Sequence, residues 1–176
     1  GAGLPIYWNA MPHSGVQIKI DRGGGVTAFC GLTDIGQGAN SMLAYIVAET
    51  LGVTLDQVIV VTSDTDLTPV DLGSYSSRVT MMAGNAAIAA ARPLREKIIQ
   101  AAAEKLELPP ESLTIRANRV YCVDDERRAL EWPDAVRLAE AKFGTLGAVG
   151  SYTPPKRGGR YKGAGVGPSP AYSYSA

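Results

Sequence analysis

Soft metal ligands are scarce in this chain of 176 residues: it has two cysteines and one histidine. Cys30 and Cys122 lie far apart with no C-x-x-C spacing, and His13 stands alone, so these side chains cannot build a zinc site or an iron–sulfur cluster by themselves. Thiols used this sparingly point to a reduced, cytoplasmic compartment. Charge of one sign is also lacking, because 17 basic residues balance 17 acidic ones. That excludes a global field for nucleic acid or an anionic membrane surface. No apolar run approaches the roughly 20 residues that span a bilayer, and no charged-then-apolar leader opens the chain. A G-x-G-x-x-G after a first strand, with an acid some way beyond, is missing too, which disfavours a simple dinucleotide module. There is no initiator Met, and the last residues, AYSYSA, alternate like the opening of a strand. The expectation is an internal fragment of a longer protein, with residues 1–176 forming a single partial domain.

What is present is apolar enough, at 45% hydrophobic, to bury a sizeable core. Val16–Ile20 and Val26–Cys30 are β-prone runs around DRGGG and predict a hairpin. Apolar residues at three- and four-residue steps predict a helix over 39–51 with Gly52 as its C-cap. Val58–Thr62 is a continuous β-branched run, which predicts a strand buried on both faces. From Val79 to Leu106 the chain is Ala-rich and helix-prone; Pro93 predicts a kink or break near Ala90, and Pro109-Pro110 end the run. Leu113–Arg116 and Arg119–Val123 flank Ala117-Asn118 as a second hairpin, and Trp132–Ala141 follows Glu131 as a compact helix. The last thirty residues are dense in Gly, Pro, Ser and Tyr and are expected to lie against something else. The fold class is α+β, mixed sheets with packed helices.

Two Gly/Ser-rich stretches stand directly before the predicted helices, GLTDIGQGANS (31–41) and DLGSYSSRVTMMAGNAA (71–87). Unpaired amides and the positive dipole end at a helix start make each an anion cradle, and two of them point to a ligand with more than one phosphate. In the first, Gly36 and Gly38 allow close backbone approach while the Gln37 amide offers a donor and an acceptor. The bland account is an ordinary strand-to-helix turn. In the second, Ser74, Tyr75, Ser76, Ser77 and Thr80 offer hydroxyls and Arg78 a planar fork of donors, set against a polar helix start with a solvent-exposed arginine. Asp64, Asp66 and Asp71 are either a hard-cation site or turn caps. His13 reads as a surface residue, and both cysteines as small core residues. Lys156, Arg157, Arg160 and Lys162, with Tyr161 among them, form either a solvated loop or a contact with an acidic ligand such as a CoA tail or cofactor phosphates.

The segments GLTDIGQG, SDTDLTPVDLGSYSSRVTMMAGNAA and YKGAGVGPSPAYSYSA resemble the molybdenum-cofactor domain of the xanthine oxidase family, over about Gly15 to Ala176. Within it the likeness is nearest to the α subunits of 4-hydroxybenzoyl-CoA reductases. The resemblance implies molybdopterin, in its cytosine dinucleotide form, with molybdenum held through the pterin dithiolene and by no protein side chain. It implies that Gln37 orients a metal-bound oxygen, and that Gly36, Gln37, Gly38 and Ala39, with Gly73, Ser74, Tyr75, Ser76, Ser77, Arg78, Val79 and Thr80, bind the cofactor. It also implies iron–sulfur and FAD subunits as partners in a hetero-oligomer, and reductive removal of the hydroxyl of an aromatic CoA thioester. The family's general base, a glutamate in a later Gly-rich motif, has no match here. Glu49, Glu96 and Glu104 fall on helix faces, so the fragment alone is expected to be inactive. The alternatives are a xanthine, aldehyde or carbon monoxide dehydrogenase, a non-catalytic scaffold or assembly module, and a simple nucleotide-binding module.

Overall fold

The computed structural model describes residues 13–71, 73–74 and 77–153. Its first elements follow the sequence pattern closely. The alternating run gives β1 (Ser14–Ile20), and β2 (Val26–Cys30) returns antiparallel to it. Asp21 fixes the turn between them by accepting the N–H groups of Gly23 and Gly25. Helix α1 (Ala39–Leu51) ends where Gly52 adopts φ 84°, as a left-handed cap should. Strand β3 (Val58–Thr62) then pairs parallel with β2.

Helix α2 (Val79–Leu106) is one continuous 28-residue helix with Pro93 inside it, so the expected split does not occur. Pro93 and Ala89 are both exposed; the ring projects from the outer side of the helix, and the Ala89 carbonyl forgoes the N–H that a proline lacks. Next come β4 (Leu113–Arg116), β5 (Arg119–Cys122), β6 (Ala129–Glu131), α3 (Trp132–Phe143) and β7 (Gly147–Tyr152). Strands β4 to β6 form a small antiparallel sheet whose hairpin turns on Ala117 and Asn118, both at positive φ. The Asn118 side chain accepts the Thr54 N–H at 2.9 Å and donates to the Thr54 hydroxyl at 2.6 Å, which ties this sheet to the chain just after α1.

The larger sheet has the order β3-β2-β1-β7. Among the described residues β3 is therefore an edge strand with Ile59 63% exposed, not the doubly buried one that its β-branched run predicted. Strand β7 was not foreseen; its residues belong to the Gly-rich tail expected to lie against something else, and they do so by pairing antiparallel with β1. One sheet face carries Val16, Ile18, Ile20, Val26, Ala28 and Cys30 into the core beneath α1 and α2. The buried side of α2 is mostly alanine, which lets its backbone come down onto the sheet. A Cβ on Gly150 of β7 would stand 2.2 Å from the Ala86 carbonyl oxygen and 2.4 Å from the Ala90 nitrogen. No helix among the described residues is long and apolar enough to cross a membrane.

Candidate functional site

Strands β2 and β3 run parallel and end at the same sheet edge, where β1 begins at Ser14. The segments that follow them, 31–38 and 63–78, therefore leave from neighbouring points, and each leads into a helix start. In open sheets, this carboxyl end of parallel strands is where a ligand crevice forms. The two segments are pressed together. A Cβ on Gly31 would stand 2.5 Å from the Pro69 carbonyl oxygen and 3.0 Å from the Asp71 nitrogen. The Ser74 hydroxyl donates to the Thr33 carbonyl and accepts the Thr33 N–H at 3.3 Å. The two sequence motifs thus form one surface.

In the first motif Gly36 and Gly38 have φ 97° and 79° and expose backbone at the loop tip. The start of α1 is not an open anion cradle, as the sequence suggested. Asp34 fills it, accepting the N–H groups of Gly36 at 2.9 Å, Asn40 at 3.1 Å and Gly38 at 3.4 Å. Those bonds, Asn40 first, hold the Asp34 carboxyl below the usual carboxylate range. Gln37 is exposed and folds back on its own loop: its side-chain oxygen accepts the Ile35 N–H at 2.6 Å and its side-chain nitrogen donates to the Thr33 carbonyl at 3.2 Å. Ala39, the first buried residue of α1, brings only backbone to this surface.

In the second motif Tyr75 and Ser76 lie outside the described residues. Gly73, at φ 104°, donates its N–H to Asp71 at 2.8 Å. Arg78 is not the solvent-exposed arginine of the bland account, since its side chain is 11% exposed and pairs with Asp71, itself 2% exposed, at 3.0 Å. Ser77 and Thr80 are exposed at the entrance to α2, and Val79 is its first residue. The Arg78 side chain makes no cap there and the first turn holds no acidic residue, so among the described residues none neutralises the positive end of α2 as Asp34 does that of α1.

Asp64 caps a turn by accepting the N–H groups of Asp66 and Leu67, and Asp71 is held by Arg78. Among the described residues no group of three His, Cys, Asp or Glu could hold a metal, which favours the turn-cap account of these aspartates over a cation site. His13 contributes its carbonyl to Arg78. Cys30 and Cys122 are buried, as expected of core residues. Glu49 and Glu96 are exposed along the helices, and Glu104 pairs with Lys142. The basic run 156–162 and the YKGAGVGP segment lie outside the described residues. Sequence reasoning missed Asp34, although the signal was there: Asp34-x-Gly36 and Asp71-x-Gly73 are the same Asx turn, in which a carboxylate takes the N–H two residues on. The donor set is therefore backbone amides, hydroxyls and one side-chain amide. That set fits a group that brings its own metal ligands and carries phosphate to the start of α2.

The family described as the molybdopterin cofactor-binding domain matches residues 1–176. Over 100 residues, 57% of its length, the chain is 42% identical to the 6-hydroxypseudooxynicotine dehydrogenase complex subunit gamma of Paenarthrobacter nicotinovorans. Over 112 residues, 63% of its length, it is 38% identical to the xanthine dehydrogenase molybdenum-binding subunit of Escherichia coli. It spans only 13% and 15% of the length of these two relatives. Among solved structures, the Cu,Mo-CO dehydrogenase superposes on 88% of the chain, using 20% of its own, with a TM-score of 0.73 and 30% identity.

Proposed function

Because the chain belongs to the molybdopterin cofactor-binding domain family, of the xanthine oxidase type, we propose that it supplies part of the cofactor-binding surface of a molybdenum-dependent oxidoreductase. The observation that carries the reading is the meeting of the two Gly-rich loops beside an uncapped α2 start. Gly73, Ser74, Tyr75, Ser76, Ser77, Val79 and Thr80 hold the pterin and its phosphates with amides and hydroxyls. Gly36, Gln37, Gly38 and Ala39 lie toward the reacting end. There Gln37 exchanges its two loop bonds for contacts that orient the reacting groups without adding charge. The cofactor, in its cytosine dinucleotide form, supplies two-electron redox chemistry at molybdenum. Iron–sulfur and FAD subunits carry the electrons, and a glutamate outside these 176 residues moves the proton.

For the substrate, the sequence likeness favours reductive dehydroxylation of 4-hydroxybenzoyl-CoA to benzoyl-CoA. The dehydrogenases among the relatives favour the opposite direction, oxidation of a substrate such as xanthine, an aldehyde or carbon monoxide. The test is elemental molybdenum and released cytidine nucleotide from the full-length complex, followed by both assays. Metal, nucleotide and benzoyl-CoA support the reductase. Metal and nucleotide with turnover of xanthine, aldehyde or carbon monoxide support the dehydrogenase, and loss of both components leaves a scaffold.

A further inference from the structure

The second loop is held by a cluster of bonds within the chain itself. The Arg78 Nη1 donates to Asp71 Oδ1 at 3.0 Å and to the Gly73 carbonyl at 3.0 Å. Its Nη2 donates to the Ser14 hydroxyl at 3.3 Å and the His13 carbonyl at 3.4 Å. Among the described residues four acceptors therefore face the two terminal nitrogens of one guanidinium, which between them carry four of its five N–H donors. Asp71 takes the Gly73 N–H on Oδ1 and the Ser14 hydroxyl on Oδ2. Ser14 is 1% exposed and opens β1, so this cluster fastens the loop to the sheet. Farther along, Ser74 fastens the same loop to Thr33.

We infer that Arg78, Asp71 and Ser14 form a positioning clamp that sets the 71–78 loop before the cofactor arrives, so that Arg78 acts on the cofactor through the loop backbone and not by its own contact with phosphate. The inference rests on the cofactor-binding reading above and says which groups at that site do the work. Turning the guanidinium toward a phosphate would strip a buried carboxylate of its counter-ion, a costly exchange. Amides need no such exchange, because the clamp already fixes their direction.

The test uses the full-length protein in two preparations. One comes from a host that makes the cofactor and is assayed for molybdenum and nucleotide per folded subunit. The other comes from a host that cannot make it and is assayed for protease cleavage within 71–78, well below the unfolding temperature and with circular dichroism confirming the fold. In Asp71→Asn and Arg78→Lys, cofactor content should fall by about tenfold, and cleavage of the cofactor-free protein should rise by a similar factor. Lysine keeps the charge but cannot span the acceptors, so a clamp is not rescued by it, whereas a plain phosphate contact is. Normal or raised cofactor content in Asp71→Asn, or rescue by Arg78→Lys, overturns the clamp. Ser14→Ala removes one hydroxyl and no charge, and is the variant to read if the charged substitutions fail to fold. It should show both changes in weaker form, and unchanged cleavage in it overturns the clamp. If the wild type carries no cofactor, the functional reading fails while the cleavage arm still judges the clamp.

Discussion

Asp34 shows how a single side chain decides which helix start is available. By accepting the amides of Gly36, Gly38 and Asn40 it satisfies donors that an anion would otherwise need to reach. Its folded carboxyl is held low, so its stabilising contribution is present above the unfolded value of about 3.9 and fades as pH falls below it. Asp34→Asn should therefore lower the melting temperature at neutral pH and flatten the acid side of the stability profile; an unchanged profile removes the cap from the account. Gln37 finds its side-chain partners only within its own loop, in the Ile35 N–H and the Thr33 carbonyl, and it is exposed, so Gln37→Ala should leave folding intact. Turnover per molybdenum in the full-length complex should nonetheless drop by ~100-fold, as when one positioned donor at a reacting centre is lost. Steady-state rates normalised to metal content measure this, and equal rates would remove Gln37 from the chemistry.

At the scale of elements, the contact between α2 and β7 is backbone against backbone. Gly150→Val places a branched side chain where even a Cβ meets the Ala86 carbonyl oxygen and the Ala90 nitrogen, and should destabilise the chain by about 3 kcal/mol in urea unfolding. Pro93→Ala, on the exposed side of the same helix, should stabilise it by about 1 to 2 kcal/mol, since a helix-interior proline forgoes one backbone hydrogen bond. The same elements show what could be read beforehand. The hairpin β1–β2 and the C-terminal ends of α1 and α2 carry local signals, in DRGGG, in Gly52 and in Pro109-Pro110, and they stand where those signals put them. Strand β7 and the edge position of β3 depend on pairing with β1 and β2 from far along the chain, which no local pattern encodes. The site divides in the same way. The two Gly-rich loops were legible as loops before helices, but the Thr33–Ser74 link and the inward turn of Arg78 span 41 and up to 65 residues of sequence.

For the whole molecule, Cys30 offers a measure of how the site and the core share stability. It ends β2, is fully buried in the same apolar cluster that holds Cys122, and lies within electrostatic reach of Asp71 and Arg78. Burial pushes its thiol up to about 11; Asp71 adds to the rise, while the bond from Leu32 and the Arg78 charge oppose it. The folded state therefore prefers the neutral thiol. Its contribution is complete below the unfolded value of about 8.5 and is lost as pH climbs toward the folded one. A rise of this size corresponds to about 3 kcal/mol of stability lost across that window. The quantity to compare is the difference between wild type and Cys30→Ala in urea unfolding at pH 8 and pH 10.5, in which every charge change that the two share cancels. The variant should lose less stability than the wild type over that interval. In the wild type at pH 8, alkylation of Cys30 and Cys122 should proceed at one shared rate that rises with urea, because both thiols are reached only when the common core opens. If Cys30 instead reacted much faster than Cys122, the end of β2 would open independently of the core, and the site would be anchored by its loops alone.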